Sequence, residues 1–560
     1  MPKKLKIFLF SFLFFPLFVF AQGTKFYVDP NYDLYQREEI FATEVETSQR
    51  AHFFVDNDFL EFLTETQKAE IQKSLKSLGE EFDKKIYPVL TQNFGTEWTP
   101  GIDGDPKITI LFHKMRKDAA GYFNSGDEYS KIQNPKSNQR EMVYLNADNI
   151  SSPLLKSFLA HEFLHLITFN QKTKIFGVEE ETWLNEARAE YAPTLLGYDD
   201  EGGSTYLQMR INQFLKKSTD SIVEWGGEPA DYGALNLFTH YLVERFGKEI
   251  LIDSLKRKET GIASIDATLK DYGLKDTFSQ TFIDWTITVL INDCEFDPKY
   301  CYKNKNLRNL RLLPEIVFLP LSGEAELSSQ KSTQNFAGNW IRFIGGSEDL
   351  KIKFDGMGNF FRVPYITQDR SGNYKIDYFN LDENQKGEIL IKNFRKEIVS
   401  VTIIPVAQTK ISDFKGENLY FAYQAKIVKH EEKESEEISK LLAQIEKLKQ
   451  QIAFYQQKIN EILGKSQPIS CKKIEKNLYY GLMNDPQVRC LQEFLKSQGP
   501  EIYPEGLVTG YFGPLTLAAV KRFQQKYWQE ILAPWGLTKA QPTGIVGPTT
   551  RSKINQLLSF

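Results

Sequence analysis

The sequence predicts a multidomain protein: an α+β domain, then a β-sandwich, a coiled-coil helix and a small all-α domain. Three observations carry this. Short apolar strand segments up to Leu145 give way to helical patterns as far as Asn292. From about Leu313 to Val428 the texture changes to alternating and β-branched runs cut by glycine turns. Beyond them an uninterrupted heptad repeat leads into a last segment that contains an internal echo. A chain of 560 residues is long enough for roughly three to four domains.

The first residues read as a secretory signal. Lys3, Lys4 and Lys6 precede an apolar run from Ile7 to Phe20, and Val19-Phe20-Ala21 places small residues at the cleavage positions. Residues 1–21 are therefore expected to be removed near Gln22 and the protein exported. The run is short for a membrane span and contains Pro16, and no Cys follows it to take a lipid. A net charge of −4 supplies no bulk basic field, so a nucleic-acid partner is not expected. The four cysteines form two local pairs, Cys294 with Cys301 and Cys471 with Cys490, and an oxidising compartment favours disulfides.

In the α+β domain, Ala51–Val55 and Lys107–Phe112 read as strands. Between them Ile71, Leu75, Leu78, Phe82 and Ile86 step as an amphipathic helix stopped near Pro88. Met142–Leu145 is a third strand. A helix capped by Ser152, with Pro153 in its first turn, follows.

That helix carries His161-Glu162-Phe163-Leu164-His165, in a chain with only six histidines. Two histidines four apart share one helix face, so their rings can converge on one ion, and zinc is the usual occupant. Phe158, Leu159, Phe163, Leu164 and Ile167 surround the pair with apolar side chains, against a solvated surface helix. Glu162 projects from the same turn and can reach a water on the metal.

A zinc site needs a third protein ligand, and Glu186 is placed for it on a helix expected over Thr182–Ala192, capped at Thr182 and broken by Pro193. Glu190, one turn further, can accept a hydrogen bond from a ligand histidine; a solvated helix carboxylate is the alternative. Asp103-Gly104-Asp105 offers paired carboxylates that suit calcium, but it lacks a full calcium-loop pattern and is read as an ordinary turn. The remaining helices are expected at Leu235–Phe246, stopped by Gly247, and at Thr277–Asn292.

His-Glu-x-x-His with Asn185-Glu186 downstream resembles the gluzincin, thermolysin-like metallopeptidases. The wider pattern resembles the hyicolysin family of secreted bacterial metallopeptidases. It includes Gly101-Ile102-Asp103-Gly104-Asp105-Pro106, Ala120-Gly121-Tyr122-Phe123, Trp183-Leu184-Asn185-Glu186-Ala187 and Tyr232-Gly233. The resemblance implies a zincin-type fold over residues 22–305, with one zinc held by His161, His165 and Glu186 and with Glu162 as the catalytic acid/base. It also implies an oxyanion donor downstream, for which Tyr232, in a predicted loop, is preferred to His240 within a helix. Met142–Leu145 is expected as the sheet edge that pairs with extended substrate.

Residues 313–428, the predicted sandwich, carry no catalytic constellation and are read as a spacer or docking module. Over 430–465, Ile438, Ile445, Ile452 and Ile459 alternate with Leu441, Leu448, Tyr455 and Ile462, which favours a parallel homodimer over a helix packed on a neighbouring domain. In residues 471–560, Thr509-Gly510-Tyr511-Phe512-Gly513-Pro514-Leu515-Thr516 recurs as Thr543-Gly544-Ile545-Val546-Gly547-Pro548-Thr549-Thr550. With Asp485-Pro486-Gln487-Val488, this segment resembles bacterial peptidoglycan-binding domains, which implies attachment to peptidoglycan. The leading expectation is a secreted, wall-associated zinc endopeptidase acting on protein or peptide. The alternatives are a peptidase of peptidoglycan cross-links, and a non-catalytic wall-bound adhesin with a relic zinc fold.

Overall fold

A computed structural model describes residues 23–200, 205–321, 325–429, 433–462 and 471–559. The expected signal segment lies outside them. The chain divides into two compact units, Met1–Glu431 and Glu432–Phe560. Among the described residues, no helix is long and apolar enough to cross a membrane.

The first unit is built on a six-stranded mixed sheet. Its strands are β1 (Thr24–Tyr27), β2 (Glu39–Thr47), β3 (Ala51–Asp56), β4 (Ile108–His113), β5 (Gly121–Phe123) and β6 (Met142–Asn146), in the order β1-β2-β3-β4-β6-β5. Strands β3, β4 and β6 run parallel, and β5 pairs antiparallel with β6 at the edge. The period-2 alternation of these strands sorts two cores. Val55, Ile110, Phe112, Val143 and Leu145 face the helices, while Phe54, Leu111, Met142 and Tyr144 face the opposite side. The first strand starts at Thr24, so residues directly after the expected cleavage belong to the sheet. The exposed edge is β5, not Met142–Leu145 as the sequence suggests. A three-residue strand is too short to announce itself by alternation.

Two proline-based expectations also change. The helix Glu65–Glu81, boxed at its start by Thr64 and Gln67, runs through a π-helical turn into Tyr87–Phe94, so Pro88 sits in a first turn and stops nothing. Helix Thr182–Leu195 starts after Glu181 rather than being capped by Thr182, and it contains Pro193. Near a helix end, one lost backbone bond is tolerated: Leu196 N–H still donates to Ala192 O at 3.1 Å. The motif helix spans Leu155–Phe169, two residues later than a Ser152 cap would set it; Ser152 Oγ accepts the Leu154 N–H at 3.2 Å.

Among the described residues of 315–428, two larger sheets enclose one core, beside a two-stranded ribbon of Phe361–Arg362 and Val406–Ala407. One sheet orders strands Lys386–Ile391, Asp349–Asp355, Leu419–Val428 and Glu326–Thr333. The other orders Tyr374–Tyr378, Pro364–Asp369, Ile398–Ile403, Ile341–Gly345 and Glu315–Leu319. Phe343 meets Tyr423 edge-on at 5.6 Å across the layers. These layers are not a detached spacer. Trp340 Nε1 donates to Thr286 O at 2.8 Å, and Phe336 packs between Phe278 and Phe282, so the β layers extend the helical core. Alternation shows that a strand buries one face and is silent about which neighbour covers a loop aromatic.

In the second unit, Lys433–Ile462 is one unbroken helix. Leu441, Ile445, Leu448, Ile452 and Tyr455 are all exposed along it, so no described part of the chain covers the heptad seam. The side chains of Ile438, Ile459 and Ile462 lie outside the described set. Helices Pro486–Ser497, Pro514–Lys526 and Pro548–Leu558 then share a small core around Leu491, Phe494, Val520 and Phe523. Disulfides join Cys294 to Cys301 and Cys471 to Cys490.

Candidate metal centre

Helix Leu155–Phe169 is buried on nearly every side because its apolar residues face both the sheet and the following helices. His161, Glu162 and His165 are therefore held in the interior, each less than a tenth exposed. The two Nε2 atoms lie 3.1 Å apart. Glu186, one turn into helix Thr182–Leu195, brings Oε2 to 3.2 Å from His161 Nε2 and 3.5 Å from His165 Nε2. A tetrahedral ion bonded at about 2.0–2.1 Å sets its donors about 3.3–3.4 Å apart. The triangle of 3.1, 3.2 and 3.5 Å fits that shape. Glu186 Oε2 is also a buried oxygen with no hydrogen-bond partner, a condition that a cation would relieve. Glu162 offers an oxygen within 4.8 Å of both histidine donors. Of the two carboxylates, Glu186 is the one whose oxygen closes the triangle, while Glu162 lies against the edge strand.

Gly121 of β5 makes room for Glu162. A Cβ there would lie 2.6 Å from Tyr144 O and 2.9 Å from Glu162 Oε1, so only glycine lets the carboxylate rest against the strand. Burial raises the Glu162 carboxyl above the usual range, and the two histidines oppose that rise. Burial would raise Glu186 as well, but His165 and His161 outweigh it and hold Glu186 well below the usual carboxylate range. For His165 burial acts downward, and Glu186, with Glu162 and Asn185 in support, lifts it to about 9.

Behind His161 lies a network that only folding assembles. Glu190, fully buried, brings Oε1 to 3.3 Å from His161 Nδ1. Tyr206 O–H donates to Glu190 Oε1 at 2.5 Å, leaving its oxygen to accept from His161 Nδ1–H at 3.0 Å. Arg210 donates to both Glu190 oxygens at 2.8 and 2.6 Å, and Asn236 Nδ2 donates to Oε2 at 3.1 Å. With Nδ1 engaged as a donor, His161 keeps the Nε2 lone pair pointed at the centre. Glu190 is thus no solvated carboxylate. Sequence reasoning missed Tyr206, Arg210 and Asn236; the spacing of Tyr206 and Arg210 on one helix face was visible, but not what that face meets.

Tyr232 lies in the first turn of helix Pro229–Phe246, not in a loop, because Glu228 and Asp231 box the helix start six residues ahead of Leu235. Its ring centroid is 6.4 Å from that of His161. Trp225 meets it edge-on at 4.8 Å, and the Arg210 guanidinium sits 4.6 Å from its centroid. Burial, then Glu186, raises its phenol well above the usual value, so it stays a hydrogen-bond donor. His240, two turns on, faces away: it contacts Thr194 Oγ1 at 3.2 Å, and burial lowers it to about 3. A further unforeseen neighbour is Tyr32, stacked on Tyr122 at 4.5 Å, whose phenol is raised by burial and then by Glu162 and Glu186. At Asp103-Gly104-Asp105 both carboxylates are engaged within the protein. Asp103 accepts the Asp105 N–H at 3.0 Å, and Asp105 Oδ2 lies 3.1 Å from His52 Nε2.

Comparison with known proteins finds similarity to a metalloprotease and to a peptidoglycan-binding family. Over 221 residues it is 28% identical to the neutral metalloprotease ShpI of Staphylococcus hyicus, a match covering 33% of this chain and 47% of that protein. The chain thus spans about half the length of that relative. Residues 484–528 match the family described as a putative peptidoglycan binding domain. Among solved structures, the pre-peptidase C-terminal domain of a Bacillus anthracis collagenase aligns at 12% identity and a TM-score of 0.14, over 20% of this chain and 96% of its own. A periplasmic lysozyme inhibitor of Aeromonas hydrophila aligns at 10% identity and the same TM-score, over 21% of this chain and all of its own. Similarity that slight bears on nothing further. The chain combines a segment related to a neutral metalloprotease with a segment of the putative peptidoglycan-binding type.

Proposed function

We propose that the protein is a secreted, wall-associated zinc endopeptidase of the hyicolysin-like, gluzincin kind. The observation that carries this reading is the donor triangle of His161, His165 and Glu186, with Glu162 beside it. A zinc ion bound there would supply a Lewis acid that polarises a carbonyl and acidifies a water. Glu162 accepts the proton of the attacking water and later delivers it to the leaving amine. Burial favours that role, since it raises the carboxyl above the usual range and so eases uptake of the water's proton. Tyr232 donates to the developing oxyanion, and Trp225 and Arg210 hold its ring. Strand β5 offers its open edge to an extended substrate.

The C-terminal segment attaches the enzyme to peptidoglycan, and export follows from the signal at residues 1–21. The uncovered seam of helix Lys433–Ile462 pairs two chains in parallel. In that register the facing flank positions combine Gln444 with Lys449 and Gln451 with Gln456, without like-charge opposition. The deciding experiment measures zinc content and casein cleavage for the parent and for Glu162→Gln. One zinc per chain in both, with cleavage lost only in the variant, supports the reading; equal cleavage sinks it. The match at residues 484–528 favours one second reading, hydrolysis of peptidoglycan cross-links, which release of muropeptides from purified sacculi would reveal.

A further inference from the structure

The two Thr-Gly echoes of the C-terminal domain fold into near-identical turns, each organised by one buried glutamine. In the first, Gln492 Nε2 donates to Tyr511 O and Thr516 Oγ1, both at 2.9 Å, and its Oε1 accepts the Gly510 N–H at 2.8 Å. In the second, Gln524 Nε2 donates to Ile545 O at 2.8 Å and Thr550 Oγ1 at 3.1 Å, and its Oε1 accepts the Gly544 N–H at 2.8 Å. The repeats differ above the turn. Over Gly513 the Tyr511 ring closes the space: a Cβ there would lie 2.6 Å from Tyr511 Cε1. Over Gly547, where Ile545 replaces the tyrosine, a Cβ would meet nothing within 4 Å. One repeat is plugged by its own side chain and the other is open.

The open one is a built pocket of about 270 Å³ lined by Trp535, Leu537, Ile545, Gly547, Thr549 and neighbours. That is near the lower bound of about 300 Å³ for small-molecule sites. Trp535 is 62% exposed, yet its orientation is set: Nε1 donates to Thr549 Oγ1 at 2.9 Å, and that hydroxyl donates to Ile531 O at 2.9 Å. An indole anchored by its edge, with its face open, is a platform for a flat, partly apolar ring. No charged side chain lines the pocket. A peptide stem bearing carboxylates and amines would leave its charges unpaired there, whereas a neutral sugar would not.

We propose that this pocket, which lies mostly beyond the matched residues 484–528, binds an N-acetylated hexosamine of a glycan strand stacked on Trp535. The apolar wall of Ile531, Leu532 and Leu537 receives the acetyl methyl, and the remaining lone pair of Thr549 Oγ1 accepts from a ring hydroxyl. The assignment rests on the wall-attachment reading above.

Co-sedimentation of the full chain tests it, with three probes: purified sacculi, chitin particles as an insoluble N-acetylated glycan without stem peptides, and chitin oligosaccharides as soluble competitor. The parent should pellet with both insoluble forms and be displaced by the competitor. Trp535→Ala and Gly547→Leu should each weaken sedimentation by about tenfold or more. Gly547 has extended backbone at φ −82°, so leucine fills the pocket without backbone strain and guards against a folding artefact at Trp535. Tyr480→Ala, beside the plugged repeat, should bind like the parent. If both pocket variants sediment like the parent, the pocket is not the site. Binding only to peptide-bearing sacculi would overturn the sugar assignment in favour of a stem-peptide reader. A parent that binds no sacculi would instead refute wall attachment itself, and this proposal with it.

Discussion

Arg210→Met tests whether the buried network behind His161 acts as a unit. The substitution keeps much of the side chain's length but removes the two charge-assisted bonds to Glu190 and the bond of Arg210 Nη2 to Tyr206 Oη at 2.6 Å. Glu190 is then a fully buried carboxylate left with Tyr206, Asn236 and His161. Breaking a buried pair on one side costs about 3–5 kcal/mol, because the remaining charge loses its counter-ion in a low-dielectric interior. The same change frees His161 Nδ1 from a fixed acceptor, and loss of such support lowers metal affinity by about 10–100-fold. Adding Glu190→Gln removes the stranded charge while keeping an oxygen for His161 and Tyr206. The double variant should therefore recover about 1–3 kcal/mol relative to Arg210→Met alone. Denaturant unfolding gives the stability terms, and zinc competition against a chelator gives the affinity. If Arg210→Met unfolds and binds zinc like the parent, or if the two substitutions simply add, the network is packing and nothing more.

Four further outcomes follow from the geometry. Tyr232→Phe should lower kcat by about 10²–10³-fold with little change in KM on a peptide substrate, the signature of a donor used only in the transition state. Gly121→Ala forces either β5 or Glu162 to move, since its Cβ would fall 2.6 Å from Tyr144 O; cleavage should fall by about tenfold or more while the melting temperature shifts by only a few degrees. Glu128, buried with both carboxylate oxygens unpartnered, has a folded pKa raised to about 8 by burial and then by Glu141. A raised pKa means that its proton stabilises the fold below about pH 4.5 and that this contribution is lost as pH rises to about 8. Glu128→Gln should therefore be nearly neutral at pH 5 and stabilise the protein at pH 8.5 by on the order of 1–3 kcal/mol, read from denaturant midpoints. Finally, Ile445→Asp with Ile452→Asp should convert a dimer to a monomer in light scattering; a parent that is already monomeric refutes the paired seam.

Legibility in the sequence followed the range of the interaction. His161, Glu162 and His165 were readable because a helix places residues four apart on one face whatever surrounds it. The place of Glu186 near the start of a second helix was readable because a helix with an early carboxylate is a local pattern as well. The heptads and the Thr-Gly echo were equally visible, since both are periodicities of the chain itself. Tyr206, Arg210, Asn236 and Tyr32 were not. They come from a separate helix, from the Tyr232 helix and from the segment after β1, and nothing local marks which of their faces turns inward. Pro88 and Pro193 misled for a related reason: a proline forbids one backbone bond, but whether a helix stops there depends on how firmly its neighbours hold it.

The sequence by itself determined the helix that carries His161, Glu162 and His165, the exposed-seam helix and the duplicated turn, because each is written in spacing over a few residues. Only the tertiary structure decided that β5 forms the open edge, that the β layers join the helical core, that Glu190 is locked between His161 and Arg210, and that one repeat is open where its twin is plugged. Those outcomes depend on contacts between segments from tens to about two hundred residues apart. A side chain's neighbours across such distances are set by packing, which no pattern along the chain encodes.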